Sequence, residues 1–192
     1  MSKPSLVIVL AEDQRQGRFT YRYLIFAGIR PDCVRLIIAP SGRGSAEQWV
    51  RKNFPIQVQK CRSRHAQSGL FVMLDADREP VSRHLDELDK ALTAQNQPGI
   101  DATLDSIARL IPKWSIETWI LYLSSEGAIQ PAVTEDVPYK NAKSAEEWTE
   151  LIPTAAKVLI SLTRRGAVTP GNLPGSLRHG IHEIPRALPV ER

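Results

Sequence analysis

Residues 71–79 read FVMLDADRE, an unbroken apolar run that stops on two carboxylates, Asp75 and Asp77, with a single alanine between them. Strands buried on both faces read as continuous apolar runs, because neither face alternates with solvent, and they belong to sheets covered by helices on both sides. A second run of this kind, SLVIVLA at 5–11, also ends on acids, Glu12 and Asp13. Together they indicate an α/β fold with a largely parallel central sheet flanked by helices. In such sheets ligands collect at the carboxyl ends of the strands, which is where both acidic pairs fall.

The segments between follow the same alternation. In RFTYRYLIFAGI (18–29), Phe19, Tyr23, Phe26 and Ala27 recur at three-and-four spacing and predict a helix closing near Gly28. VRLIIA (34–39) reads as a strand, PSGRGS (40–45) as a turn, and Ser45 as the cap of a helix presenting Trp49, Val50, Phe54 and Val58, which Pro55 divides in two. Val81, Leu85, Leu88 and Leu92 share a face of a further helix. DSIARLIP (105–112) suggests a short strand or an amphipathic approach to one, SIETWILYL (115–123) a helix, and 142–165 more helix interrupted around Pro153. Residues 169–192, rich in Pro and Gly, are expected to wrap over the body without a long element.

A chain of 192 residues suits one domain, with 98–192 as a helical and loop-rich extension. Cys33 and Cys61 form no CxxC pair, which fits a reduced cytoplasm and supplies neither a disulfide framework nor a thiolate zinc cluster. The run at 5–11 is too short to cross a bilayer and lacks the pattern of a cleaved leader, so a cytoplasmic protein with no membrane partner is expected. The net charge of +4 is modest but unevenly spread. Arg43, Arg51, Lys52, Lys60, Arg62 and Arg64 face only Glu47 between 43 and 64, and Arg164, Arg165, Arg178, Arg186 and Arg192 follow later. Basic zones beside concentrated carboxylates suit a polyanion held over a metal.

If the strand persists past Leu74, Asp75 and Asp77 share parity and point to one side. Like charges so placed repel unless one takes a proton or a cation bridges them, and Mg²⁺ or Mn²⁺ fits such oxygen ligands. Glu12 is positioned to add a third carboxylate; helix capping or a solvated loop is the alternative for all three. Glu117 stands among Ile116, Trp119 and Ile120, where a carboxylate needs a partner. An exposed position, a pairing with Lys113 and a metal-site role are all open to it.

Glu12 after SLVIVLA, GRGSAEQWVRKNFP (42–55), DAD after FVML, and IPKWSIETWIL (111–121) in that order resemble the Toprim-related proteins of the OLD-nuclease and RloB-like kind. The resemblance covers most of the chain. It implies a Toprim-like fold in which a glutamate and a DxD pair coordinate Mg²⁺ for phosphodiester chemistry on DNA or RNA. Glu12 matches that glutamate, Asp75 and Asp77 match the pair, and Glu117 matches an acid of the RloB-related branch. The chain departs from the pattern at Asp13, where many relatives have glycine, and at Arg78. The resemblance further implies a bacterial defence setting and a separate ATPase partner, since GRGSAEQ lacks a P-loop pattern; a homo-oligomer is compatible with it.

In this reading Arg43, Arg51 or Lys52 positions the phosphate backbone, and Lys140 stabilises a leaving oxygen or is simply an exposed loop lysine. A catalytically weak binding or regulatory subunit is the main alternative, and an enzyme acting on a small phosphorylated substrate is a third. His65, His84, His179 and His182 form no HExxH and are expected at the surface or in hydrogen bonds. Trp49, Trp114, Trp119 and Trp148 sit beside apolar residues and are expected to fill the core or an interface.

Overall fold

The computed structural model describes residues 5–42, 44–64, 68–124, 133–164, 167, 171 and 173–188. Four strands, β1 (Leu6–Ala11), β2 (Val34–Ile38), β3 (Ser68–Met73) and β4 (Ile107–Leu110), form one sheet in the order β2-β1-β3-β4, and every pairing is parallel. Helices α1 (Gln14–Phe26), α2 (Ala46–Arg62), α3 (Val81–Thr93), α4 (Ile116–Ser124), α5 (Ala145–Thr163) and α6 (Gly175–Ala187) cover it. The architecture is therefore α/β, with an all-parallel sheet flanked by helices. Among the described residues no helix is long and apolar enough to cross a membrane.

Strand parity divides the core into two. Val7, Val9, Phe71 and Met73 pack against α1, α4, α5 and α6, where Phe19, Trp119, Trp148 and Leu177 are buried. Ile8, Leu10, Leu70, Val72 and Leu74 face α2 and α3 through Val50, Phe54, Val58, Leu88 and Leu92. Each such side chain removed from water contributes about 1.5–3 kcal/mol, which is why both central strands must be apolar throughout. Gly180 lets α6 approach α4 closely, since a Cβ there would collide with the Trp119 ring.

The chain runs from β1 through α1 to β2 on one side, then through α2 back past β1 to β3 on the other. The direction of winding reverses between β1 and β3, and in open parallel sheets ligands collect outside the carboxyl ends of the strands at such a point.

Several expectations need correction. Pro55 does not divide α2, which runs unbroken over Ala46–Arg62, and Pro153 does not interrupt α5, which runs over Ala145–Thr163. Proline weakens a helix by removing one N–H and crowding the preceding turn, yet here apolar faces on either side, Val50, Phe54 and Val58 in α2 and Trp148, Ile152, Ala156 and Leu159 in α5, are buried as single stripes. The Pro- and Gly-rich end forms a 13-residue helix, α6, whose Leu177, Ile181 and Ile184 are buried. Their three-and-four spacing outweighed composition. The third strand ends at Met73 and not beyond Leu74, so Asp75 and Asp77 do not share strand parity. Arg43, His65, Arg165 and Arg192 lie outside the described residues.

Candidate metal centre

Glu12 directly follows β1, and Asp75 follows β3 by two residues, so the two central strands deliver carboxylates to the same rim. The Asp75 amide donates to Glu12 Oε2 at 3.0 Å. Asp13 caps α1 by accepting from the Gln16 amide at 2.8 Å, which starts the helix immediately after the acids. That start brings Gln16 back over them: its Nε2 donates to Glu12 Oε2 at 3.3 Å and its Oε1 accepts from the Glu12 amide at 2.9 Å. Beside Glu12 a crevice of about 450 Å³ is lined by Asp13, Arg15, Ala39, Gly42 and Ala46 among others.

Burial, chiefly, pushes the Glu12 carboxyl up to about 7, with the neighbouring charges of Glu47 and Asp13 acting in the same direction; the Asp75 amide and Gln16 oppose it. Asp75, only 7 % exposed, is raised well above the ordinary carboxylate range, first by burial and then by the charges of Glu12, Asp13 and Glu117. One oxygen of Asp75 accepts from the Ile116 amide at 3.0 Å, at the start of α4. Two crowded carboxyls with raised affinity for protons have an electrostatic deficit that a hard divalent cation can meet, and their oxygen-only donor set suits Mg²⁺ or Mn²⁺.

Asp77 is turned out of this pair. It is exposed, its φ is +45°, and it exchanges two backbone hydrogen bonds of 3.2 Å with Trp114, whose φ is +63°. Two non-glycine residues held in left-handed conformations face each other across one bridge, which costs backbone energy and redirects the chain after Asp75. Glu117, 1 % exposed, does reach the acidic rim, where its charge acts on Asp75. Its partner is Arg15, through a short ion pair, and not Lys113, whose Nζ donates to the Glu79 carbonyl at 2.9 Å.

Among the described residues, the three whose metal-ligating atoms all lie within 4.8 Å of one another are Glu47, His84 and Glu87. The Arg51 guanidinium touches all three, so a cation already fills that cluster. The buried His84 also bonds the Ala76 carbonyl through Nε2 at 3.2 Å, and because a carbonyl only accepts, Nε2 carries the proton. It therefore grips the backbone between Asp75 and Asp77. His84 is thus one of the histidines expected in hydrogen bonds, and it stands one turn before Leu88 on the apolar face of α3; its hold on the segment between the two aspartates is what the sequence did not show.

The basic zone at 43–64 is partly spent within the fold. Arg51 is committed to its cluster, and Arg62 pairs with Asp105 and the carbonyls of Pro98 and Gly99. Lys52 and Lys140 are exposed. Trp119 and Trp148 are fully buried, while Trp49 and Trp114 are half-buried. Comparison with family models, with curated proteins and with solved structures finds no match.

Proposed function

We propose that this chain is a Toprim-like, divalent-metal-dependent nuclease that hydrolyses phosphodiester bonds in DNA or RNA. The observation that carries the reading is the Glu12–Asp75 pair at the reversal point of the sheet, two carboxyls with raised pKa linked by the 3.0 Å amide contact. Glu12 and Asp75 would hold Mg²⁺ or Mn²⁺, with Asp77 and Glu117 as further acids of the site. When bound, the ion offsets charge on the phosphoryl oxygens and makes water more acidic. Gln16 orients the Glu12 carboxylate, the Ile116 amide orients Asp75, and Arg15 holds Glu117 at the rim. The crevice leaves Glu12 open to a ligand while Asp75 stays screened from water.

A catalytically weak binding subunit acting with a separate ATPase partner in a cytoplasmic defence system is the second reading. The outward turn at Asp77 favours it, because it leaves two neighbouring acids, Glu12 and Asp75, where the resemblance implies three.

The test is cleavage of labelled single- and double-stranded DNA and RNA by purified protein with Mg²⁺, Mn²⁺ or chelator. Cutting that requires a divalent ion and is lost in Glu12→Gln and Asp75→Asn is expected. Cutting that persists in both folded variants would sink the assigned site, and no cutting under any condition would favour the second reading.

A further inference from the structure

We infer that the seam between α1 and α5 is a track for single-stranded nucleic acid leading to the crevice beside Glu12; this names the substrate form for the proposed nuclease site and rests on that reading. Helix α1 begins one residue after the acids' strand turn and its thirteen residues, QRQGRFTYRYLIF, include three arginines and no carboxylate. Arg15, Arg18 and Arg22 recur at three-and-four spacing and form one stripe, about 10 Å long from first to last at the helical rise.

The stripe starts at the crevice, which Arg15 lines, and runs away from it. Arg18 and Arg22 are exposed, and among the described residues neither forms an ion pair. This sets them apart from Arg51, Arg62 and Arg109, which the fold consumes. Together with Tyr21 from α1 and Thr149, Ile152 and Pro153 from α5, they line a groove of about 340 Å³. Farther along, Lys157 of α5 lies 5.4 Å from the centre of the Phe26 ring and extends the line of positive charge.

Charge complementarity selects a polyanion for this surface, and the groove's size selects its form. Guanidinium groups beside an aromatic ring and an apolar wall match a backbone phosphate beside an unstacked base, the pattern of single-strand binding. A duplex keeps its bases inside and would meet only the arginines.

The test is fluorescence anisotropy of labelled oligothymidylate, oligouridylate and a duplex of equal length, in chelator, across a series of salt concentrations. Single strands are expected to bind more tightly than the duplex. In Arg18→Ala/Arg22→Ala the slope of log K against log salt should fall by about 1.4, from two phosphate contacts at about 0.7 each. Tyr21→Ala should weaken single-strand binding on the order of tenfold while leaving that slope unchanged. Both arginines and the tyrosine lie on the solvent side of α1, so circular dichroism should report folded variants.

An unchanged slope and affinity in the arginine variant, a duplex bound as tightly as a single strand, or no binding by the wild type would overturn the inference. Cleavage measured on the same samples separates the two claims. Divalent-dependent cutting with an indifferent arginine variant rejects the track and keeps the nuclease; arginine-dependent single-strand binding without cutting does the reverse.

Discussion

Glu12 Oε2 accepts a hydrogen bond from the Asp75 amide at 3.0 Å, so the carboxylate that ends one central strand fixes the backbone that leaves the other. The two acids are thus one structural unit, and whatever neutralises one bears on the conformation of both.

Divalent ions should therefore stabilise the fold as well as any reaction. At an ion concentration a hundred times its Kd the gain is about 2.7 kcal/mol, or roughly 5–10 °C in Tm for a chain of this size. Thermal melts of wild type, Glu12→Gln and Asp75→Asn with and without Mn²⁺ check this. Equal shifts in all three proteins would place the ion elsewhere.

The metal-free protein should lose stability as the pH rises from acid to neutral. Glu12 titrates near 7 when folded against an ordinary value of 4.5, so between those values the folded state keeps a proton that the unfolded state releases. Its contribution is fully present below about 4.5 and gone once the pH passes about 7, a change of at most about 3 kcal/mol. Asp75, raised as well, acts in the same direction. Denaturant midpoints in chelator from pH 5 to 8 should fall for the wild type and flatten in Glu12→Gln; a midpoint that rises with pH contradicts the assignment.

The Arg15–Glu117 pair should respond asymmetrically to truncation. Arg15 is 22 % exposed in its side chain and can turn to solvent if its partner is removed, whereas Glu117 at 1 % cannot. Arg15→Ala is expected to cost about 3–5 kcal/mol by stranding a buried charge, and Glu117→Gln appreciably less. Urea unfolding of both variants measures the difference, and equal losses would show that Glu117 finds another partner.

His84→Phe keeps the apolar packing of α3 but removes the donor to the Ala76 carbonyl. It should cost about 1–3 kcal/mol for the unpaired groups left behind and loosen Mn²⁺ binding at Glu12 and Asp75, although His84 touches neither carboxylate. Manganese titration followed by electron paramagnetic resonance gives the affinity directly. If affinity holds while stability drops, the histidine serves the fold alone.

Much of the fold was legible because periodicity and burial carry the same information. The double-faced strands at 6–11 and 68–73 and the cap at Ser45 follow from local chemistry, and so does the position of Glu12 at a strand end. What sequence could not supply was conformation that depends on a distant partner. Asp77 leaves the expected parity because Trp114, far along the chain, closes a bridge on it, and Glu117 finds Arg15 a hundred residues away instead of its neighbour Lys113. The α1 arginines were hidden in plain composition: only the packing of α5 beside them shows which cations the fold leaves unpaired.

Helix α6 comes near the end of the sequence yet lies against β3 and β4, where a Cβ on Gly69 would collide with the Ala187 carbonyl. During synthesis, β1, β2 and β3 emerge long before this helix can cover them, and one side of the nascent sheet stays open to water and to other chains. A ribosome-bound intermediate stalled before residue 175 is thus expected to need chaperone shielding.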